Sequence, residues 1–305
     1  MELPLPEELP EGHKSGFVAV IGKPNVGKST LMNRYVGQKV AIVSPKPQTT
    51  RRRILGIRTD ERAQIIFVDT PGIHEPLHKL GEVMVETATR AVPDADLILF
   101  MIDVSEHPTD EDRQIAEILR EHARVLTLLV LNKMDLLAPD EAESRMAAYS
   151  DLIEAADALL ISATEGTGTD QLLEEIIELL PAGPQYYPPD QVTDQPERVI
   201  GAELIREQVL RFTHQEVPHA VAVAVEEWKE RREDLTYISA NIYVEKSSQK
   251  GILIGSKGSM LKRIGRAARQ ELEHFVGHKV YLELWVKVRK RWRKDENALR
   301  WFGYK

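Results

Sequence analysis

Five runs of apolar residues recur in the first 180 positions: FVAVI (17–21), IIFVD (65–69), LILFMIDV (97–104), VLTLLVL (125–131) and ALLIS (158–162). A strand that is apolar at almost every position is buried on both faces, and the intervals between these runs are long enough to hold helices. The pattern predicts an α/β layer fold, a mostly parallel sheet with helices on both faces. RILGIRT (53–59) alternates instead, and only a short loop separates it from IIFVD, which predicts an antiparallel edge strand. A helix is predicted from Thr169 to Leu180, where Leu172, Leu173, Ile176, Ile177 and Leu180 recur at helical spacing before Pro181.

From Pro181 to Pro196 the chain holds five prolines and no apolar periodicity, so an extended linker is expected at 182–196. Beyond it the pattern changes. A helix is predicted at 197–212, followed by strands at 220–228 and 234–246 whose alternation marks a sheet with one exposed face. A short helix, the turn GSKG, a long helix at 259–276 and a strand at 279–288 complete an α-β-β-α-α-β order. The expected organisation is a tail at 1–14, an α/β domain at 15–181, the linker, a smaller α+β domain at 197–288, and a basic and aromatic tail at 289–305.

Composition narrows the chemistry. The 305 residues include no cysteine, which removes disulfides, thiolate metal sites and cysteine nucleophiles and fits a reducing cytoplasm. No run of about 18 uncharged apolar residues occurs, and the acidic, proline-broken start MELPLPEELPEGHK is unlike a signal peptide, so a cytoplasmic protein is expected. The net charge of -8 is unevenly spread: residues 241–305 carry 16 Lys+Arg against 6 Asp+Glu, a net of +10, and residues 1–240 carry 24 against 42. A basic segment on an acidic body points to a polyanionic partner for one part of the chain.

The candidate chemistry sits at strand ends. FVAVI is followed by GKPNVGKS and then by a helical pattern, so Gly22, Lys23, Pro24, Asn25, Val26, Gly27, Lys28, Ser29 and the adjoining Thr30 form a phosphate-binding loop between strand and helix. Gly22 and Gly27 allow backbone N–H groups to turn onto phosphate oxygens, Lys28 supplies charge to the β and γ phosphates, and Ser29 supplies a hydroxyl for Mg²⁺. Asp69 ends a buried strand, where a lone carboxylate must face water, donors or a cation, and Mg²⁺ held through a water satisfies it. It opens Asp69-Thr70-Pro71-Gly72, in which the Gly72 N–H can sense a γ-phosphate. Asn132, Lys133, Met134 and Asp135 follow the fourth run; the Asp135 carboxylate pairs with the N1–H and amine of guanine but meets a lone pair on adenine, which selects GTP. Ser162, Ala163 and Thr164 stand at a fifth strand end, with the Ala163 N–H placed to donate to guanine O6.

These motifs in order resemble the translation-factor-like P-loop GTPases. The block from Gly22 to Ile57 and the second domain resemble, more narrowly, the Era family of bacterial ribosome-assembly GTPases. The resemblance implies that Gln48, Thr49, Thr50, Arg51 and Arg52 form switch I, with Thr49 or Thr50 reaching Mg²⁺, and that Asp69 to Ile73 begin switch II. Ile73 stands where Ras-like proteins carry a water-orienting Gln, so slow intrinsic hydrolysis is expected. Relatives with an Asn at the position of Asn25 use it to hold K⁺, which makes Asn25 a candidate K⁺ ligand.

At the other end, Gly255-Ser256-Lys257-Gly258 joins two helices and lets backbone N–H groups approach a sugar-phosphate chain. With Lys262, Arg263 and Arg266 after it and the α-β-β-α-α-β order, the segment resembles a type II KH domain, which grips single-stranded RNA. Arg289, Lys290, Arg291 and Arg293, interleaved with aromatics, extend the expected RNA-binding set, while Trp285 and Trp301 are expected in the core. The family resemblance implies small-subunit rRNA, at its 3′ end, and the small ribosomal subunit as partners, a monomer, and some peripheral association with the cytoplasmic face of the membrane. The competing reading is a GTPase gating chemical modification of RNA. His74 and His78 are four apart, but Pro76 between them argues against a helical metal pair.

Overall fold

The computed structural model describes residues 12–304, so most of the expected N-terminal tail lies outside the described residues. These residues divide into two compact units. The first is built on a six-stranded sheet in the order β2-β3-β1-β4-β5-β6. Its strands are β1 (Lys14–Ile21), β2 (Ile54–Thr59), β3 (Ala63–Asp69), β4 (Leu97–Asp103), β5 (Thr127–Asn132) and β6 (Asp157–Ile161). β2 is the antiparallel edge, as its alternation predicts, and the remaining pairings are parallel. β3, β4 and β5 are buried at every position, which is why their sequences are apolar throughout.

Helices α1 (Lys28–Val36), α2 (Lys79–Ala91), α3 (Asp110–His122), α4 (Ala142–Ser150) and α5 (Thr169–Leu179) connect the strands. α3 starts at a capping box: the Thr109 side chain accepts from the Asp112 N–H, and the Asp112 carboxylate accepts from the Thr109 N–H at 2.9 Å. The segment expected as an extended linker is laid against this unit through residue 194. The Ile57 N–H donates to Val192 O at 2.8 Å, Thr193 Oγ1 donates to Leu55 O at 2.6 Å, and Gln64 holds the main chain of Tyr186 and Tyr187. The open edge of β2 thereby finds partners, which proline content alone did not reveal.

The second unit comprises α6 (Glu197–Phe212), β7 (Ala222–Arg232), β8 (Leu235–Val244), α7 (Ser247–Ile254), α8 (Ser259–Val276), β9 (Lys279–Val288) and α9 (Glu296–Trp301). Its sheet runs β7-β8-β9, antiparallel then parallel. The order is the α-β-β-α-α-β expected, and one sheet face packs with α6 and α8 around Ile205, Ile238, Ile264 and Leu272. Residues 41–51 and 75–84, close to the phosphate motifs in sequence, also pack in this unit. The expected C-terminal tail is folded: Trp292 is fully buried, donates from Nε1 to Ala220 O at 2.9 Å, and clusters with Leu80, Met84, Leu299, Phe302 and Tyr304.

Candidate nucleotide site and RNA-binding surface

The phosphate loop leaves β1 at Gly22, where a side chain would collide with Met101 O, and turns through left-handed backbone at Asn25 (φ 66°) and Gly27 (φ 107°). A Cβ on Gly27 would lie 2.2 Å from Asn132 Nδ2, so only glycine lets the loop approach β5. Val26 is buried beneath the loop and Thr30 is half-buried on α1. The Lys28 ammonium curls back into the loop, donating to Gly22 O at 3.0 Å and Lys23 O at 2.8 Å. Burial lowers its pKa from 10.5 to about 8, with Asp69 opposing the shift. Ser29 Oγ donates to Asp69 Oδ2 at 2.6 Å, so the two expected Mg²⁺ partners already converge.

Lys23 departs from expectation. It is expected among the phosphate-binding residues of the loop, but its ammonium is committed to Asp112 on α3 at 3.1 Å and to Glu106, just before α3, at 3.3 Å. Burial works against its charge, but the Asp112 carboxylate and then Glu106 outweigh that and raise its pKa.

Beyond β3, Thr70 Oγ1 donates to Val20 O at 2.9 Å, and Pro71 is buried. The Gly72 main chain lies against the loop so closely that a Cβ would sit 2.4 Å from Pro24 N. The Ile73 N–H donates to Gly22 O at 3.3 Å, while its side chain enters the core with Ala19, Ile21 and Ile102. Ile73, where Ras-like proteins carry a water-orienting Gln, is thus a packing residue in this structure.

On the base side, Asn132 is a brace. Its Nδ2 donates to Val26 O at 2.7 Å and its Oδ1 accepts from the Ala163 N–H at 2.8 Å, the group expected on guanine O6. Lys133, in left-handed backbone at φ 70°, pairs with Asp103. Burial opposes the Asp103 charge, yet the bonds from Lys133 and Ser105 hold its pKa below the usual carboxylate range. Met134 and Asp135 lie on a short 3₁₀ turn, with Asp135 exposed. Ser162 is buried and its Oγ accepts from the Glu165 N–H at 3.1 Å. Arg34, which sequence reasoning passed over, holds this turn by donating to Ala163 O at 2.8 Å and Thr164 O at 2.7 Å; its only sequence signal is its place on the first helix after the phosphate loop.

Of the expected switch I residues, Gln48 to Arg51 lie in the stretch that packs in the second unit and Arg52 belongs to the first. Gln48 is left-handed (φ 62°), Thr49 Oγ1 donates to Lys46 O at 2.6 Å, and Thr49 O accepts from Arg206. Arg51 is buried, donating to Val221 O at 2.6 Å and His219 O at 3.1 Å beside the Trp292 and Tyr304 rings. Thr50 and Arg52 are half-buried.

In the second unit, Gly255, Lys257 and Gly258 all have positive φ (69°, 49° and 77°), a turn that two glycines make cheap. Ser256 and Lys257 are exposed, as are Lys262, Arg263 and Arg266 on the solvent face of α8, opposite buried Ile264, Ala268 and Leu272. Arg263 lies over the Phe212 ring at 4.3 Å. Lys290 and Arg291 are exposed, and Arg289 stacks over Trp301 at 5.0 Å. Arg293 does not belong to this surface: it is bonded to Glu245 at 2.6 Å and to His78 Nε2 at 2.8 Å, a partly buried ion pair that fixes the end of the chain. Trp285 and Trp301 are also misassigned by sequence, being 61% and 52% exposed.

Known proteins resemble this chain in both units. Residues 17–133 match the 50S ribosome-binding GTPase family, and residues 216–293 match the KH domain family. The chain is 52% identical over 294 residues to the GTPase Era of Thermotoga maritima, covering 96% of this chain and 98% of that protein. It is 48% identical over 291 residues to the GTPase Era of Heliobacterium modesticaldum, covering 95% and 97%. Among solved structures, Era in complex with MgGDPNP and nucleotides 1506–1542 of 16S ribosomal RNA superimposes with a TM-score of 0.90 at 42% identity, covering 96% of this chain and 99% of that one. An Aquifex aeolicus Era variant bound to GDP and AlF4⁻ gives 0.89 at 42% identity, covering 95% and 99%. The phosphate loop, the Asp69 strand end, the Asn132 brace and the GSKG turn therefore occur together in one chain because it belongs to the Era family of GTPases.

Proposed function

We propose that this GTPase binds single-stranded RNA through its KH unit, at the 3′ end of small-subunit rRNA, and that GTP hydrolysis times its release from the maturing small subunit. The observation that carries the reading is the GSKG turn, with exposed Lys257 and the basic face of Lys262, Arg263 and Arg266, in a chain that also holds a complete phosphate loop. The similar structure bound to a 16S rRNA segment supports the same partner.

The residues divide the work by chemistry. Ser29 and, through a water, Asp69 present hard oxygen donors that suit Mg²⁺, which when bound neutralises phosphate charge. The Lys28 ammonium exchanges its two carbonyl acceptors for phosphate oxygens, a stronger charge-assisted contact. Exposed Asp135 reads guanine, while Asn132 keeps the phosphate loop and the 162–164 turn in register. With the Ile73 side chain in the core, no side chain at that position orients the attacking water, so intrinsic hydrolysis is slow and is completed by RNA or by K⁺ at Asn25. The protein works as a cytoplasmic monomer with peripheral membrane contact; among the described residues no helix is long and apolar enough to cross a membrane.

The test is anisotropy of a labelled rRNA 3′-end oligonucleotide with wild type and Gly258→Asp, alongside GTP turnover with and without RNA, in KCl and in NaCl. RNA affinity lost in the variant with nucleotide binding retained is expected, and turnover should rise with RNA. Equal RNA binding by both proteins refutes the assignment of the turn.

A further inference from the structure

The KH sheet packs one face on α6 and α8, and the other stays open along β9 although Tyr237 and Asn241 of β8 are buried there. Along β9, Val280 and Val286 are buried and Leu282 and Leu284 pack on the same core, while Tyr281, Trp285 and Lys287 are exposed. Residues of alternate parity point to opposite sides of a strand, so the exposed set lies on the face away from α6 and α8. Tyr281 is 52% and Trp285 61% exposed, and four residues of strand separate them by about 13 Å.

The Tyr281 end of this surface is braced by its neighbours. Register pairs Tyr281 with Tyr237 on β8, and the two rings stack with centroids 5.9 Å apart. The Arg231 guanidinium lies 3.9 Å from the Tyr237 ring centre and 5.8 Å from that of Tyr281. The Tyr237 hydroxyl donates to Glu283 at 3.0 Å, which locks the inner ring in place. An apolar ring surface held rigid and open to water binds a flat partner at small entropic cost.

We propose that the Tyr281–Trp285 face is a second, base-stacking surface for single-stranded RNA, continuing the strand gripped at residues 255–258. The proposal rests on the reading that the GSKG turn holds RNA. A KH turn grips about four nucleotides, so a longer single strand must run on over other surface. β9 is the place it meets: it is an edge strand, and both α7 and α8, the helices joined by the turn, pack against it. Sheets that bind single strands do so with aromatic rings on an open face beside cations, as Tyr281 and Trp285 stand beside Arg231 and Lys287. Glu227 and Glu283 share the face, with Glu283 engaged by Tyr237, so stacking rather than phosphate charge dominates here.

The test compares an oligonucleotide of about five nucleotides with one of about 20 from the same rRNA 3′ end, bound to the full chain by anisotropy. Tyr281→Ala/Trp285→Ala should bind the short RNA like wild type and the long RNA about 10- to 100-fold more weakly, given the measured cost of removing a stacking ring. Tyr281→Phe/Trp285→Phe, which keeps both rings flat, should retain the long RNA. Unchanged long-RNA affinity in the alanine variant overturns the proposal. So does loss of a wild-type dimer in sedimentation without loss of RNA binding, which assigns the face to a second copy. Failure of wild type to bind either RNA refutes the underlying reading instead, separating the two.

Discussion

Lys23→Met tests whether a lysine inside a phosphate loop serves the nucleotide or the fold. Asp112 is fully buried, and its Oδ2 accepts from Lys23 Nζ at 3.1 Å, from the Thr109 N–H at 2.9 Å and from Thr109 Oγ1 at 2.6 Å. Its Oδ1 is buried with no partner among the described residues, so the Lys23 ammonium is the main compensation for the charge. Removing one member of a buried pair costs about 3–5 kcal/mol, and the N-terminus of α3 returns up to roughly 1 kcal/mol by stabilising the stranded carboxylate. Glu106 contributes little, its side chain being 59% exposed and screened by water. Lys23→Met should therefore lose about 2–4 kcal/mol in urea unfolding of the nucleotide-free protein. Lys23→Met/Asp112→Asn, which removes the stranded charge and keeps an oxygen for Thr109, should recover about half or more, and should bind fluorescent GDP within several-fold of wild type. A single variant within about 1 kcal/mol of wild type, or a double variant no more stable than the single, refutes the energetic argument. A double variant that loses nucleotide as Lys28→Met does shows that the ammonium reaches phosphate after all.

Two further outcomes follow from buried cations. Lys28 titrates near pH 8 in the folded, nucleotide-free protein and at 10.5 when unfolded, so between those values the unfolded chain holds more protons and stability should rise with pH; Lys28→Met should flatten that rise in urea titrations at pH 7.5 to 10. Phosphate beside the ammonium reverses the shift, so calorimetry near pH 9 in buffers of different ionisation enthalpy should show proton uptake on GDP binding, absent in the variant. Arg51→Ala removes the guanidinium from the Val221 and His219 carbonyls and from the Trp292 and Tyr304 rings, a loss of about 3 kcal/mol for charged, buried hydrogen bonds. Trypsin cleavage after Arg52 and Arg53 should then accelerate roughly 100-fold, and an unchanged cleavage rate refutes the anchoring role.

The strands, the antiparallel edge and the α-β-β-α-α-β order were legible because burial on one face or two leaves a periodic trace. The nucleotide motifs were legible because their chemistry depends on main chain and a few fixed side chains at strand ends. Individual side chains were harder. Trp285 looks like core by hydrophobicity, yet it shares strand parity with Lys279, Glu283 and Lys287, a signal strong enough to place it outside. Trp292 sits in a basic run with no period, and its burial depends on Ala220 and on a cluster drawn from α2 and α9, which no local pattern encodes. Arg293 was read with its basic neighbours, but its partner Glu245 is 48 positions away. Lys23 and Asp112 are likewise far apart in sequence; the Thr109–Asp112 capping box was readable as a helix start, while its third partner was not.

The stretch 41–51 shows why motif and contact must be weighed together. The family resemblance implies that it senses phosphate and metal, but hydrogen bonds in this structure tie it to the rest of the second unit. The Val43 N–H donates to Glu207 at 2.9 Å, Lys46 donates to Thr213 O, Thr49 O accepts from Arg206, and Arg51 donates to the Pro218, His219 and Val221 carbonyls. Arg206 is itself buried and fixed by Glu203, so its hold on Thr49 comes from a rigid donor. A nucleotide that draws Thr49 or Thr50 toward a metal must either release these bonds or carry their partners along. Release exposes the cost of leaving Arg206 without an acceptor and several main-chain carbonyls without donors, on the order of a few kcal/mol, which is comparable to the differential affinity that moves a two-state equilibrium from one side to the other. A nucleotide that shifts this segment and a ligand of the second unit would bias the same equilibrium. Linkage would then make the bias reciprocal: whatever factor GTP applied to a ligand of the second unit, that ligand would apply to GTP.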